Sequence, residues 1–337
     1  YCVGQPSNTE PQLAPLWQQF TAARFIPDPP LYAYSPDYAP FVSEMARILG
    51  KRVGVGVHPI SPLTLGGEEF ELALRLMDEG TLESTGTAGM PVMGVTAPLD
   101  WVAGWAQAVA EAVGAAVALE ALGAKRVSTF AALYAADMRT GGLVFASPEH
   151  VLLTLTEAKV NREVLGNLRR PAKALYTTAK TPSAQAAAEK TAHTVVALLA
   201  GYRHLGSIGI MAVDEVFSPQ QVFIDLDIVG HAWRIVRGMD ANHAQGDVVA
   251  LVREGVSQVE HFLAAPTTLA RFRDFYWSPS LFDRQPTAAW LANPTDVLDA
   301  AWARGRELID GYTYELDADR QRAFRKVIDD ARRHFCP

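Results

Sequence analysis

The sequence predicts an α/β fold, a TIM (β/α)8-type barrel with a C-terminal helical extension. Short apolar or β-branched runs alternate with long helical runs up to residue 240, as in parallel strands joined by crossover helices. An open dinucleotide-binding sheet alternates in the same way, but no Gly-x-Gly-x-x-Gly lies between a strand and a helix. We therefore expect a barrel domain over residues 1–240 and a helical extension packed on it over residues 241–337.

Six runs have the length and residue types of β-strands. They cover residues 31–34, 52–57, 83–87, 126–130, 172–177 and 205–212, and residues 1–4 are a candidate remnant of a further strand. A complete barrel of this type has eight strands. Because the chain also begins at Tyr1 rather than Met, we expect the barrel to be truncated at the N-terminus.

Long helical runs separate these strands. They cover residues 39–49, 67–79, 99–122, 148–165, 182–199 and 219–237, and the extension adds 247–263, 266–273, 287–291 and 294–332. Three of the runs begin with proline after a hydroxyl residue, at Ser147-Pro148, Thr181-Pro182 and Ser218-Pro219. Proline at the first helical position loses no needed donor, and the preceding hydroxyl can cap the free amides. These dipeptides therefore predict helix starts.

The composition excludes several functional classes. The net charge is −7 and no run of lysine or arginine exceeds two residues, which argues against nucleic acid as a partner. The most apolar helical run, 99–122, contains Gln107 and Glu111, so we expect no membrane span. Cys2 and Cys336 form neither a disulfide framework nor a zinc-ligand spacing, and no signal peptide is evident. We expect a cytoplasmic protein.

The candidate site residues follow the predicted strands. In a barrel the reactive side chains come from strand C-termini and the loops behind them. These loops are rich in aromatic and acidic residues, but they contain no nucleophile elbow, phosphate loop or His-Glu-x-x-His, so we expect no metal bound directly by the chain. Aromatic faces with nearby carboxylates suit a quaternary ammonium group. The candidates are His58, Tyr134, Arg139, Tyr176, Asp214, Glu215 and Phe217.

Several candidates also have a purely structural interpretation. His58 precedes a proline and is equally consistent with a loop cap. Asp214 and Glu215 could cap the helix that starts at Pro219. Lys180 could form a Schiff base, as in aldolase-type barrels, although a lysine in a polar loop is usually a solvated charge.

Several segments resemble those of one known family. They are 136–141 with 146–149, 183–189, 206–209 with 217–221, 261–263 with 267–268, and 276–284. In this order and spacing the sequence resembles the trimethylamine methyltransferase family, which also contains glycine betaine:corrinoid methyltransferases. The resemblance implies a barrel that presents a methylated amine to the reduced cobalt of a separate corrinoid protein. The corrinoid (cobalamin) cofactor would thus be carried by the partner.

The resemblance also bears on the substrate. It implies that trimethylamine-specific members carry pyrrolysine, whereas this chain contains only the twenty standard residues. A quaternary ammonium leaves as a neutral amine when its methyl group is displaced, so no acid or covalent activation is required. A free tertiary amine must first be protonated or captured. The standard residues therefore favour a quaternary substrate, glycine betaine or a relative.

These considerations give a specific hypothesis for the site. Tyr134, Tyr176, Phe217 or Trp277 would line a cation pocket, and Asp214 or Glu215 would offset the positive charge as the catalytic carboxylate. Arg139 or His58 would contact the carboxylate of a betaine. Positioning of the two reactants could contribute about 7 to 11 kcal/mol to catalysis.

Two other functions remain open. One is a Schiff-base lyase or aldolase-type barrel that uses Lys180, and the other is a non-catalytic homologue that binds a methylated amine or a corrinoid protein. In either case association into a homo-oligomer through outer helices is expected.

Overall fold

The computed structural model describes residues 8–33, 35–125, 127–166, 172–239, 247–258 and 262–336. Three strands form a parallel sheet in the order β1 (Val53–Val57), β2 (Leu82–Thr87) and β3 (Val127–Thr129). Two antiparallel ribbons follow, β4 (Ala135–Asp137) with β5 (Gly142–Val144), and β6 (Ile210–Met211) with β7 (Val216–Phe217). The fold is therefore mixed α/β, as expected. The candidate strand at 1–4 lies outside the described residues.

The predicted closed barrel is not found among the described residues. The runs at 31–34 and 172–177 make single parallel bridges, Tyr32 to Gly54 and Ala172 to Leu205, instead of ladders. The run at 205–212 is broken because Ser207 and Gly209 both adopt a φ of 74°, in the left-handed region that ends a strand. Apolar periodicity does not reveal such turns, and this is why the sequence predicted strands at 31–34, 172–177 and 205–212 that are longer than the structure has.

Helices dominate the rest of the chain. The described helices are α1 (Ala14–Phe25), α2 (Ala39–Leu49), α3 (Glu68–Asp78), α4 (Trp101–Ala121), α5 (Pro148–Glu163), α6 (Ala184–Leu199), α7 (Pro219–Arg237), α8 (Val248–Gln258), α9 (Pro266–Phe275), α10 (Thr287–Ala292), α11 (Val297–Asp310) and α12 (Ala318–Phe335). The predicted run at 294–332 is two helices, because Asp296 and Asp317 each cap a separate helix start.

Serine caps set the starts of α5, α6 and α7. Ser147 accepts a hydrogen bond from the His150 amide at the start of α5, and Ser218 accepts one from the Gln221 amide at the start of α7, as predicted. The start predicted at Thr181-Pro182 is wrong, since Ser183 is the capping residue of α6. A hydroxyl one residue after the proline caps the helix there.

The largest apolar core lies between the parallel sheet and four helices. Val53, Val55 and Val57 of β1 are buried in it with side chains of α1, α2, α3 and α12. On the opposite face of β1, the His58 ring lies so close to Gly56 that a Cβ there would come within 2.6 Å of His58 Cε1. Helix α12 packs against α1 and α2, whereas α11 packs on α7. The proposed boundary at residue 240 remains a prediction.

Helix α4 is the one described helix that is long and apolar enough to cross a membrane by length and composition alone. It packs on β2 and β3 with Trp105, Ala108 and Leu119 buried. Its buried Glu111 accepts hydrogen bonds from Ser61 Oγ at 2.7 Å and from a backbone amide of the loop after β1. A buried carboxylate that anchors a loop is typical of a core helix.

A buried ion pair joins α6 to α7. Lys190 Nζ lies 2.7 Å from Asp225 Oδ2, and neither side chain is exposed to solvent. Asp225 also accepts hydrogen bonds from the Gly209 amide and the Gln221 side chain, each at 2.8 Å. The pair therefore ties two helices to the 206–209 turn.

A second buried aspartate holds the C-terminal part of the chain on α7. Asp227 accepts hydrogen bonds from Ser280 Oγ at 2.6 Å and from the amides of Ser280, Leu281 and Phe282 at 2.7 to 2.9 Å. Burial by itself raises the pKa of Asp227, but these hydrogen bonds outweigh it and hold the pKa below its usual value. The ionised carboxylate is thus the form that the fold stabilises.

Removal of one charge from the buried pair should destabilise the fold more than removal of both. We expect Lys190→Met to lower the free energy of unfolding by about 3 to 5 kcal/mol, because it leaves Asp225 buried and uncompensated. The double variant Lys190→Met/Asp225→Asn should recover most of the loss. Urea unfolding measures both, and a double variant no more stable than the single one would contradict the ion-pair interpretation.

The contribution of Asp227 should depend on pH. We expect Asp227→Asn to lower the free energy of unfolding at pH 7 by about 2 to 3 kcal/mol, since hydrogen bonds to a charged acceptor are lost. Because the folded-state pKa is depressed, this contribution is complete above the unfolded pKa of about 3.9 and disappears as the pH falls through the folded-state pKa.

Urea unfolding of the wild-type protein and of Asp227→Asn at pH 7 and pH 3 tests this. The difference between the two proteins should shrink at the lower pH. The matched control is Asp299→Asn, an exposed aspartate of α11, which should change little at either pH. A difference that stays constant with pH would show that the Asp227 carboxylate charge is not what holds residues 280–282.

Candidate functional site

Three rings in contact form an aromatic cluster, defined here as Tyr134, Phe145 and Tyr176. The Tyr134 and Phe145 ring centroids are 5.7 Å apart in an edge arrangement, and Phe145 stacks on Tyr176 at 4.4 Å. Tyr134 and Phe145 are buried and Tyr176 is half-buried. The sequence predicted Tyr134 and Tyr176 as site residues, and the structure brings both onto Phe145.

The β4–β5 ribbon explains why two of these rings meet. Its register pairs Ala135 with Val144, so the residues just outside the ribbon, Tyr134 and Phe145, lie at the same end. The ribbon overlaps one of the segments that carry the family resemblance, and its sequence is also typical of a loop after a strand. Phe145 was missed for that reason. The signal that could have identified it is the short hairpin 135–144, whose turn contains Gly141 with a φ of 71°.

A lysine ammonium lies against the aromatic cluster. Lys173 Nζ donates a hydrogen bond of 2.5 Å to Tyr134 Oη and lies 4.7 Å from the Tyr134 ring centroid and 5.7 Å from that of Phe145. Both ring distances fall within the range of cation–π interactions. The aromatic cluster therefore holds a cation supplied by the chain itself. Lys173 is half-buried.

Two buried histidines lie behind the cluster. The His150 ring stacks on Tyr134 at 5.9 Å and meets Phe145 edge-on, and His193 meets His150 edge-on at 5.1 Å. The Ala146 amide donates to His150 Nδ1, and His193 Nε2 lies 2.7 Å from Thr154 Oγ1.

Burial makes both rings neutral at ordinary pH. It lowers the pKa of His193 to about 4. It also lowers the pKa of His150 well below the usual value, and electrostatic interactions with His193 and Lys173 act in the same direction. Because Ala146 donates to Nδ1 of His150, the neutral ring carries its proton on Nε2. The histidines therefore add no positive charge to that of Lys173.

Glu189 positions the backbone that follows Tyr176. Its carboxylate accepts hydrogen bonds from Thr177 Oγ1 at 2.5 Å, from the Thr178 amide at 2.9 Å and from Gln185 Nε2 at 2.7 Å. Glu189 lies one turn before His193 on α6, so one helix face supports both the loop and the histidines. The sequence contains this i, i+4 spacing of Glu189 and His193, which could have predicted that the two side chains share a helix face.

A strained turn lies beside this loop. The Val213 amide donates to the Thr177 carbonyl and the Ala212 amide to the Ala179 carbonyl, each at 2.8 Å. Ala212 and Val213 have φ angles of 51° and 71°, which are unfavourable for residues with a side chain and especially for a β-branched one. Val213 packs against the aromatic cluster. Strain of this kind concentrates at functional sites.

The predicted catalytic carboxylates lie in the turn directly after Val213. Asp214 and Glu215 are exposed, and both of their amides donate to the Ala212 carbonyl between β6 and β7. They do not cap α7, because Ser218 does. Phe217, at the end of β7, is 41% exposed and lies against Gly209. Asp214 and Glu215 thus follow Val213, the residue that packs against the aromatic cluster. Phe217 instead packs against Gly209.

Arg139 and His58 are each held by a carboxylate of their own. Arg139, at the tip of the β4–β5 ribbon, pairs with Asp137 at 2.5 Å and its side chain is 88% exposed. Hydrogen bonds from Arg139 lower the pKa of Asp137 to about 2. His58 follows β1, and its Nδ1 lies 3.2 Å from Glu69. No contact between described residues joins Arg139 or His58 to the aromatic cluster.

Trp277 lies away from the cluster, against Gly230 of α7. The Arg284 guanidinium already lies 5.2 Å from its ring centroid. The ring borders a groove of about 740 Å³ that is also lined by four arginines, Arg203, Arg234, Arg237 and Arg273. Such a groove repels a quaternary ammonium, so this geometry does not favour the cation-binding role predicted for Trp277.

The two lysines of this region differ in environment. Lys180, the predicted Schiff-base candidate, is exposed and donates to the Thr178 carbonyl at 2.7 Å. Lys173 is the lysine that contacts the aromatic cluster, and it was missed because the sequence placed it inside a strand rather than at a strand end. In the described ranges, no group of three or more His, Cys, Asp or Glu side chains is arranged to hold a metal ion.

Comparison with known proteins identifies the family. The chain is 26% identical over 201 residues to trimethylamine methyltransferase MttB1 of Methanosarcina mazei, an alignment that covers 59% of this chain and 40% of the relative. It is 28% identical over 164 residues to MttB of Methanosarcina thermophila, with coverage of 49% and 33%. It is 27% identical over 179 residues to a glycine betaine methyltransferase of Desulfitobacterium hafniense, with coverage of 52% and 36%.

The chain matches at most about two fifths of the length of these relatives. The family model described as trimethylamine methyltransferase (MTTB) matches residues 53–335, from β1 through α12. That range contains the aromatic cluster, Lys173 and both histidines. The chain therefore belongs to the trimethylamine methyltransferase family.

Proposed function

We propose that this chain transfers a methyl group from a quaternary amine such as glycine betaine to the reduced corrinoid of a partner protein. Family membership supports methyl transfer, and one relative is named a glycine betaine methyltransferase. The observation that carries the choice of substrate is the aromatic cluster, whose rings hold the Lys173 ammonium at cation–π distance. Lys173 lies against Tyr134 and Phe145, so the half-buried Tyr176 ring is the aromatic face proposed for the positive methylated nitrogen of a substrate.

The proposed methyl transfer requires no general acid or base from the side chains. In the proposed step the carbon–nitrogen bond breaks, its electron pair leaves with the neutral amine, and the methyl group bonds to the cobalt through the electron pair of Co(I). No proton is needed. This agrees with two neutral histidines beside the cluster, and alignment of the two bound reactants supplies most of the rate enhancement, on the order of 7 to 11 kcal/mol.

The residues divide into two groups in this proposal. Tyr176, the most accessible ring of the cluster, contacts the methylated nitrogen, and the buried Phe145 supports it from behind. Asp214 and Glu215 stand at the rim beside Val213, where their carboxylates offset the substrate charge. Their exposure also suits contact with a docking corrinoid protein.

The barrel belongs to the same proposal. The bridge from Tyr32 to β1 and the bridge from Ala172 to Leu205 are both parallel, as neighbouring barrel strands would be. The loops that carry the aromatic cluster and the strained Ala212-Val213 turn follow these segments, as expected of the functional end of such a barrel.

Loss of the Tyr176 ring should reduce activity through the substrate cation. We expect Tyr176→Leu to lower methyl transfer from subsaturating glycine betaine by about 2- to 30-fold, because a cation–π contact of about 0.5 to 2 kcal/mol is removed. Tyr176→Phe should retain most of the rate. The assay is methylcobalamin absorbance after the full chain is mixed with a reduced corrinoid carrier protein and glycine betaine.

The control is Trp302→Leu, which removes an exposed aromatic side chain of α11 and should leave the rate unchanged. Absence of methyl transfer by the wild-type chain from any quaternary amine would reject the proposed function. Equal rates for Tyr176→Leu and the wild-type chain would reject the role of the ring.

A further inference from the structure

We infer that the groove beside Trp277 binds the phosphate group of a small molecule. It is called the arginine groove here, and its positively charged lining residues are Arg203, Arg234, Arg237 and Arg273. It is bordered by the C-terminal half of α7 and by residues 273–278, and its lining includes no ring of the aromatic cluster. The site is therefore additional to the one proposed for methyl transfer, and its test does not depend on that function.

The arginine groove carries an unbalanced positive charge. Among the described residues, its four guanidinium groups are accompanied by one lining carboxylate, that of Asp274. Several other arginines pair with carboxylates, as Arg24 does with Glu315 and Arg75 with Glu79. Within the described ranges, no ion pair joins a groove arginine to a carboxylate. A bound anion would supply the compensating charge.

Two of the guanidinium groups are held in place by carbonyls and rings. Arg234 Nε donates to the Phe275 carbonyl at 3.0 Å, and the guanidinium lies 5.4 Å from the Phe275 ring centroid. Arg203 Nη1 donates to the Tyr202 carbonyl at 2.8 Å, and its guanidinium lies 5.4 Å from the Trp233 ring centroid. A guanidinium has five N–H donors, so these bonds orient both groups and leave donors for a ligand. Such preorganisation reduces the entropy lost on binding.

The arrangement of the four arginines fits a phosphate better than a single carboxylate. Arg237 follows Arg234 by three residues on the same face of α7, Arg273 comes from the last turn of α9, and Arg203 follows α6. They line one groove of about 740 Å³, a volume typical of small-molecule sites. One bidentate arginine satisfies a carboxylate, whereas a phosphate with about two negative charges and three acceptor oxygens can bind several.

The same groove also offers aromatic surface. Tyr276 lines it and is 62% exposed. A nucleoside phosphate would stack its base on such a ring, whereas an inorganic phosphate would use the arginines alone. Both sources share the phosphate chemistry that the arginines recognise, and the experiment separates them.

Calorimetric titration of the full chain tests the inference. The probes are inorganic pyrophosphate, ADP, which adds a nucleoside, adenosine, which lacks phosphate, and citrate, whose acidic groups are carboxylates. The variants are Arg237→Gln, Arg273→Gln, their double variant and Tyr276→Leu, all at exposed positions. The matched control is Arg306→Gln, an exposed arginine of α11 that does not line the groove.

We expect pyrophosphate and ADP to bind the wild-type chain more tightly than citrate, and adenosine not to bind. Arg237→Gln and Arg273→Gln should each weaken pyrophosphate and ADP binding by about 5- to 30-fold, as for loss of a charged hydrogen bond at an exposed site. The double variant should weaken binding further, and Arg306→Gln should bind as the wild-type chain does. Circular dichroism melts verify that each variant is folded.

The Tyr276→Leu variant distinguishes the two phosphate sources. Weaker binding of ADP with unchanged binding of pyrophosphate would support a nucleoside phosphate as the ligand. Unchanged binding of both would support a phosphate recognised by the arginines alone.

Three results would overturn the inference. The first is that neither pyrophosphate nor ADP binds the wild-type chain. The second is that the double variant or the Arg306→Gln control makes no distinction, because binding is either retained in both or lost equally in both. The third is that citrate binds as tightly as pyrophosphate, which would mean that the groove recognises negative charge rather than phosphate.

Discussion

The buried pair of Lys190 and Asp225 is the constraint on which the site depends. Burial lowers the pKa of Lys190 and raises that of Asp225, while the attraction between the two charges opposes both shifts. Two charges removed from water are tolerated only when the geometry is complete, and here Gln221 and the Gly209 amide complete it. The rotation of α6 about its axis and the path of the 206–209 turn are therefore fixed together.

The site follows from that fixed rotation of α6. Glu189, next to Lys190, accepts hydrogen bonds from the Thr177 hydroxyl and the Thr178 amide, and His193, one turn later, meets His150 beneath the aromatic cluster. The polar groups around the rings are thus held by a helix rather than by the loops that carry the rings. Rigid support of this kind limits the reorganisation needed when a ligand binds.

The sequence predicted the parts of the fold that local signals determine. The Ser147 and Ser218 caps place α5 and α7 correctly, since a hydroxyl before a proline acts within one turn. The predicted barrel closure could not be judged in this way, because closure depends on pairing between distant segments, and the described strands form one three-stranded sheet and two ribbons. The run at 205–212 has strand composition, yet Ser207 and Gly209 reverse the chain after Leu205. Backbone torsions of this kind leave little trace in apolar periodicity.

The site was predictable only as far as residue type indicates function. Tyr134 and Tyr176 were selected because aromatic residues at strand ends suggest cation binding, and the structure brings both onto Phe145. The same reasoning selected Trp277, whose ring contacts Arg284. Lys173 was missed because its position in a presumed strand indicated nothing about its neighbours. The contact of Lys173 with Tyr134 joins residues 39 positions apart in the chain. Local sequence patterns carry no information about a contact over that separation, so only the fold reveals it.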